Sequence, residues 1–97
     1  MSRAEILKHL EENYAELKER HGIVALALFG SAARDEARQD SDIDVLVDFK
    51  EPPTFDQYME LKFHLEDLLG GRVDLVTRRG LRDRVRPFVE KEAVYVA

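Results

Sequence analysis

Three short features carry side chains of the kinds that handle phosphates and hard metal ions. Gly30-Ser31 follows seven apolar residues, Ile23 to Phe29, at the point where a buried strand is expected to turn into a helix. Glycine lets backbone approach a ligand closely, the first amides of a helix have no internal acceptor, and a serine hydroxyl can donate to a phosphate oxygen. The competing reading of Ser31 is a plain helix cap. Ser41-Asp42-Ile43-Asp44 opens the next strand. Residues i and i+2 of a strand share a face with Cα atoms roughly 6.6 Å apart, a spacing at which two carboxylates suit a hard cation. At roughly 5 Å, with an effective dielectric near 20, the two charges repel by about 3 kcal/mol unless something neutralises them. No lysine or arginine stands within three residues of either aspartate, so a bound cation is the expected counter-charge. Asp74 interrupts the apolar segment Val73 to Val76, where both strand propensity and burial disfavour an aspartate. If that strand neighbours the second, Asp74 joins Asp42 and Asp44. The alternative is an ion pair with Arg72 or with a helix arginine. Three such carboxylates suit a two-metal centre, with ions roughly 3.5–4 Å apart clamping a displacement at phosphorus.

The elements that must position these residues follow from periodicity. Ile6, Leu7, Leu10, Tyr14 and Leu17 repeat at helical spacing over residues 3–20, with Ser2 and Glu5 in a capping-box pattern and Gly22 as the stop. Strands are expected at Ile23–Phe29, Ile43–Phe49 and Arg72–Thr77. A helix capped by Thr54 should run from Phe55 to Leu69, with Tyr58, Leu61, Leu65 and Leu68 on its inner side and Gly70-Gly71 ending it. A last helix is expected from Leu81 to Glu92 with Pro87 at a kink, and Ala93–Val96 as a short edge strand. The order α-β-α-β-α-β-α predicts an α/β or α+β fold, a small mixed β-sheet flanked by helices, in one domain spanning residues 1–97.

Composition excludes several classes. The chain has 97 residues, 44% apolar and 36% charged, with no cysteine, so neither a disulfide framework nor a thiolate metal site is available. The N-terminal segment carries Glu5 and no apolar core of the signal-peptide kind, and the longest apolar run is far too short to cross a membrane. A cytoplasmic protein without membrane contact is expected. Net charge is −5, yet residues 1–70 hold 8 basic against 16 acidic side chains and residues 71–97 hold 7 against 4. The overall acidity argues against direct nucleic-acid binding. The arginines at 72, 78, 79, 82, 84 and 86 form either a solvated basic surface or a face for an anionic partner. His9, His21 and His64 show no ligand spacing.

The joint pattern of Gly30-Ser31, nine further residues and Ser41-Asp42-Ile43-Asp44 resembles the signature of the DNA polymerase β-like nucleotidyltransferase superfamily. Phe29 to Arg34 together with Asp40 to Val47 is similar to its minimal nucleotidyltransferase branch, of the kind that acts as antitoxin to HEPN-domain toxins. The resemblance covers essentially the whole chain and implies the palm-type fold of polymerase β. It implies transfer of a nucleoside monophosphate, AMP from ATP, to an acceptor hydroxyl, a tyrosine of a partner HEPN toxin. It also implies two Mg²⁺ ions held by the catalytic residues Asp42, Asp44 and Asp74. Gly30, Ser31 and Ser41 would lie at the nucleotide, and Arg34, between the two halves of the motif, would reach triphosphate oxygens. Where the family often has Arg, Gly and Pro, this chain has Ala32, Asp35 and Gln39, and Asp35 adds a negative charge near the expected triphosphate. Two other readings stay open: an antitoxin that only binds its partner, and a stand-alone nucleotidyltransferase for a small molecule.

Overall fold

The computed structural model describes residues 1–38 and 40–96; Gln39, one of the departures from the family pattern, lies outside them. The long helices begin where side chains satisfy their first amides. Helix α1 (Arg3–His21) is capped by Ser2, whose hydroxyl accepts from the Glu5 amide while the Glu5 carboxylate accepts from the Ser2 amide. Helix α3 (Phe55–Leu69) repeats the device with Thr54 and Gln57. Each box is worth about 1 kcal/mol. Both helices end on a left-handed glycine, Gly22 and Gly70.

Strands β1 (Ile23–Leu28), β2 (Ile43–Phe49), β3 (Val73–Thr77) and β4 (Val94–Tyr95) form one mixed sheet in the order β3-β2-β1-β4. β2 runs antiparallel to β1 and parallel to β3, and β4 pairs antiparallel with β1. The parallel pair requires a crossover, which α3 supplies. Ile6, Leu10 and Leu17 of α1 and Leu61, Leu65 and Leu69 of α3 pack with Val45, Val47, Val73 and Leu75 into one core. Leu69 therefore takes the innermost place expected of Leu68, which is only half-buried with Tyr58 at the margin. Alternation along β2 and β3 then turns Asp44 and Asp74 to the opposite face of the sheet.

The C-terminal region differs from expectation. Residues 81–85 form turns, with Arg82 C=O accepting from the Val85 and Arg86 amides, and α4 starts only at Arg86 and ends at Glu92. Pro87 sits in its first turn, where a missing N–H costs nothing, so the proline starts this helix and does not kink it.

His21, at the end of α1, and His64, on α3, share a 2.8 Å contact between Nε2 and Nδ1. Burial pushes the His21 imidazole below its ordinary range, with help from the charges of His64 and Arg20. A histidine lowered by folding binds fewer protons in the native state, so its stabilising neutrality is complete above the unfolded pKa and is lost as pH falls below about 6.5. Thermal melts from pH 8 to 5.5 are expected to show a falling Tm, and His21→Gln should flatten the slope. An equally steep slope in that variant would locate the titration elsewhere.

Candidate active site

The antiparallel register of β1 and β2 sets the site. Leu28 pairs with Val45, and the next amide, Phe29, donates to the Asp44 carbonyl at 3.1 Å. The chain then turns at Gly30, φ +66°, into the single-turn helix α2 (Gly30–Ala33). This turn brings Gly30 so close to Asp44 that a Cβ built on it would collide with Asp44 Oδ2 and lie 3.1 Å from Cγ. Only glycine leaves the carboxylate in place. Across the sheet, the parallel register places Asp44 directly beside Asp74. Asp44 is half-buried and Asp74 exposed. Burial, the charges of Asp74 and Asp42, and a hydrogen bond with Asp74 all raise the pKa of the Asp44 carboxyl, while Arg34 pulls the other way.

Asp42 lies just before β2 and is turned toward Arg72, whose Nε stands 3.1 Å from Asp42 Oδ1. The Arg72 guanidinium also donates to the Asp40 carbonyl at 3.3 Å. This corrects the expectation that a bound cation is the only counter-charge. Arg72 is 30 residues away in sequence, but Ile43 N–H bonds Arg72 C=O at 2.9 Å and brings it alongside. With side chains 77% and 48% exposed, the ion pair contributes about 0–1 kcal/mol and can be exchanged at little cost. Arg72 therefore pairs with Asp42, and the alternative reading of Asp74 as its partner is not realised.

The nucleotide-facing candidates divide. Phe29, not Ser31, is the N-cap of α2, and it makes no side-chain cap. Ser31 is half-buried in the first turn and its hydroxyl is no cap, so the competing reading of this residue falls away. A helix of four residues has little dipole, so what it offers an anion is its unpaired amides. Ser41 Oγ accepts from the Arg38 amide at 3.2 Å and closes the loop before Asp42. Arg34 is committed elsewhere: its Nη1 lies 2.6 Å from Glu92 of α4 and its Nε 3.1 Å from Glu36. Among the described residues Asp35 is the one non-glycine at positive φ, +60°, a conformation that favours glycine. Its carboxylate accepts from the Arg3 amide at 2.8 Å and is thereby spent on the start of α1.

Among the described residues no three acidic or histidine side chains form a ready-made metal cage. The donor set nonetheless fits a hard divalent cation: oxygen ligands only, two of them facing across adjacent strands, with a glycine-lined approach beside the more buried one. The sequence offered no local sign of Arg72 at Asp42 or of Glu92 at Arg34, since both contacts bridge distant segments.

A family model, the nucleotidyltransferase domain, matches residues 10–96. The chain belongs to the nucleotidyltransferase family. Among individual relatives, the protein adenylyltransferase MntA of Thermococcus cleftensis is 46% identical over 92 residues, 95% of this chain and 93% of that one. A solved structure described as a minimal nucleotidyltransferase superposes with a TM-score of 0.83 at 48% identity, covering 97% of this chain and 95% of the other. A chain from the complex of tri-AMPylated Shewanella oneidensis HEPN toxin with MNT antitoxin shares the fold, with a TM-score of 0.68 at 22% identity over 94% and 71% of the two chains. The four-stranded mixed sheet flanked by helices is thus the nucleotidyltransferase fold, and its minimal branch is the one the sequence motif resembles. No helix among the described residues is long and apolar enough to cross a membrane.

Proposed function

We propose that this nucleotidyltransferase moves AMP from ATP onto a hydroxyl of a protein partner, a tyrosine of a HEPN-domain toxin, and so acts as its antitoxin. The observation that carries the reading is the facing pair Asp44 and Asp74, with Gly30 shaped around the Asp44 carboxylate. The adenylyltransferase activity printed for the 46% identical relative supports the choice of AMP. The toxin–antitoxin complex of the same fold suggests the partner.

Asp42, Asp44 and Asp74 would hold two Mg²⁺ ions, which when bound supply Lewis-acid activation of the acceptor oxygen and charge neutralisation of the triphosphate. The chain's own groups do the rest. The free amides at Gly30 and Ser31 and the Ser31 hydroxyl receive phosphate oxygens, each charge-assisted contact contributing about 1.5–3 kcal/mol. Ser41 holds the loop that presents Asp42. Arg34 reaches a triphosphate only by leaving Glu36 and Glu92, so in this reading it is the weakest of the nucleotide contacts. On this reading Asp74, the exposed member of the pair, accepts the proton of the incoming hydroxyl as its oxygen bonds the α-phosphorus of ATP and pyrophosphate leaves. The acceptor must be held in line by another molecule, and positioning is much of the advantage in such transfers. Arg82 and Arg84, exposed and without an ion pair among the described residues, are the groups we assign to that partner's docking surface. We take the molecule to work as one domain in the cytoplasm.

A second reading is favoured by the Asp42–Arg72 and Arg34–Glu92 pairs, which satisfy two of the expected site residues inside the chain. On it, the protein neutralises its partner by binding alone. Incubation with [α-³²P]ATP, Mg²⁺ and native-host lysate separates the readings. Label on a protein that co-purifies with the chain is the expected result; a co-purifying protein without label supports binding alone. Label on a small molecule only, with no protein partner, would overturn both in favour of a stand-alone enzyme.

A further inference from the structure

We propose that Tyr58 and Glu66 of α3 are positioning residues for Asp74, clamping the outer edge of β3 on either side of it. The inference rests on the reading of Asp74 as a cation- and acceptor-facing carboxylate. β3 is the end strand of the sheet, bonded on one side only. Ile43 N–H donates to Arg72 C=O, so Arg72 and Asp74 turn their backbone groups toward β2, and Val73 and Leu75 turn theirs outward. An end strand with a hydrated outer edge is where a sheet frays first. Here both neighbours of Asp74 are tied. Val73 N–H donates to Glu66 Oε2 at 3.0 Å, and the Tyr58 hydroxyl donates to the Leu75 carbonyl.

The two clamping residues are about 12 Å apart along α3 and both are half-buried, so neither side chain swings freely. Asp74 itself has little else to hold it. Its side chain is exposed, and no lysine, arginine or histidine among the described residues pairs with it. Its place opposite Asp44 is therefore set by its backbone, which β2 holds from the inside and α3, through Val73 and Leu75, from the outside. Tyr58 thus differs from the apolar residues of the same helix face, whose contacts end in the core.

Tyr58→Phe keeps the ring and removes only the hydroxyl; Glu66→Ala removes the acceptor and Glu66→Gln restores one. In metal-free protein, amide exchange over residues 73–76 should quicken in Tyr58→Phe and Glu66→Ala, while the Ala27 and Leu46 amides, which face each other between β1 and β2, stay at wild-type rates. Mn²⁺ affinity, read by electron paramagnetic resonance, should fall about 10-fold or more in those two variants and recover in Glu66→Gln. In an Asp74→Asn background, Tyr58→Phe should still quicken exchange but no longer change Mn²⁺ affinity. A wild-type chain that binds Mn²⁺, with variants that bind it equally well, overturns the positioning role alone. A wild-type chain that binds no Mn²⁺ overturns the reading of Asp74 and the positioning role with it. Should Tyr58→Phe fail to fold, the Glu66 pair of variants decides the matter by itself.

Discussion

Asp44→Asn is expected to lower nucleotidyl transfer at least about 10³-fold, equivalent to about 4 kcal/mol of barrier, while leaving the fold intact. Asparagine matches aspartate in size and keeps one acceptor oxygen, so packing against Gly30 and the pairing of β2 with its neighbours are undisturbed. What goes is the charge at the most buried of the three carboxylates. The same change should leave metal-free stability at pH 7 unaltered or improved, and the sign follows from the carboxyl's raised pKa. A carboxyl that holds its proton more tightly in the folded chain opposes folding whenever it is ionised. That opposition is complete above its folded pKa and fades as pH falls toward about 3.9, the unfolded value. Urea unfolding in the presence of chelator should therefore show any advantage of Asp44→Asn at pH 7, shrinking in acid. Transfer at wild-type rate would remove Asp44 from the catalytic centre. A marked loss of stability at pH 7 would make it a structural residue.

Gly30→Ala should cost both stability and activity, and two sister glycines provide the control. Gly22, Gly30 and Gly70 have nearly the same backbone, φ +64°, +66° and +67°. Placing a side chain in that region costs about 1–2 kcal/mol at any of them. At Gly22 and Gly70 an added Cβ meets nothing within 4 Å, so the backbone term is the whole effect. At Gly30 it meets Asp44 Oδ2, and the carboxylate must move away from Asp74. We expect Gly70→Ala to lower Tm by about 5–15 °C with transfer intact. Gly30→Ala should lose at least as much stability, and transfer by at least about 10²-fold through misplacement of Asp44. Equal activities in the two variants would show that the close approach of Gly30 to Asp44 has no catalytic consequence.

Much of this arrangement was legible in the sequence because it depends on local chemistry. The boundaries of α3 follow from Thr54, Gln57 and Gly70, and those of α1 from Ser2, Glu5 and Gly22, since caps act within a turn of the residues they satisfy. β2 is readable as Ile43–Phe49 because alternation shows within a few residues. Asp74 stood out as a charge in an apolar strand, and the parallel register then placed it beside Asp44. What was not legible depends on distant segments meeting. Nothing near Asp42 announced Arg72, and nothing near Arg34 announced Glu92. Tyr58 was readable only as part of an apolar stripe, although its hydroxyl, the one polar atom on that stripe, was a sign that something on the sheet edge needed a donor. The late start of α4 was signalled by Pro87, which fits the first turn of a helix better than its middle.

The β2-α3-β3 crossover has a kinetic consequence. Asp44 and Asp74 come from one contiguous unit whose two strands are joined by a single helix with a capping box at its start. Such a helix forms on the microsecond scale or faster, and it shortens the effective loop that must close to bring the strands together. The pairing of β1 with β4, which joins Ala27 to Tyr95, spans a far longer stretch of chain and has no such help. Folding of this molecule should therefore assemble the two facing carboxylates ahead of the far edge of the sheet. Their mutual repulsion is then met by a partly formed protein, so divalent cations present during refolding should speed the step that joins β2 to β3 more than the docking of β4.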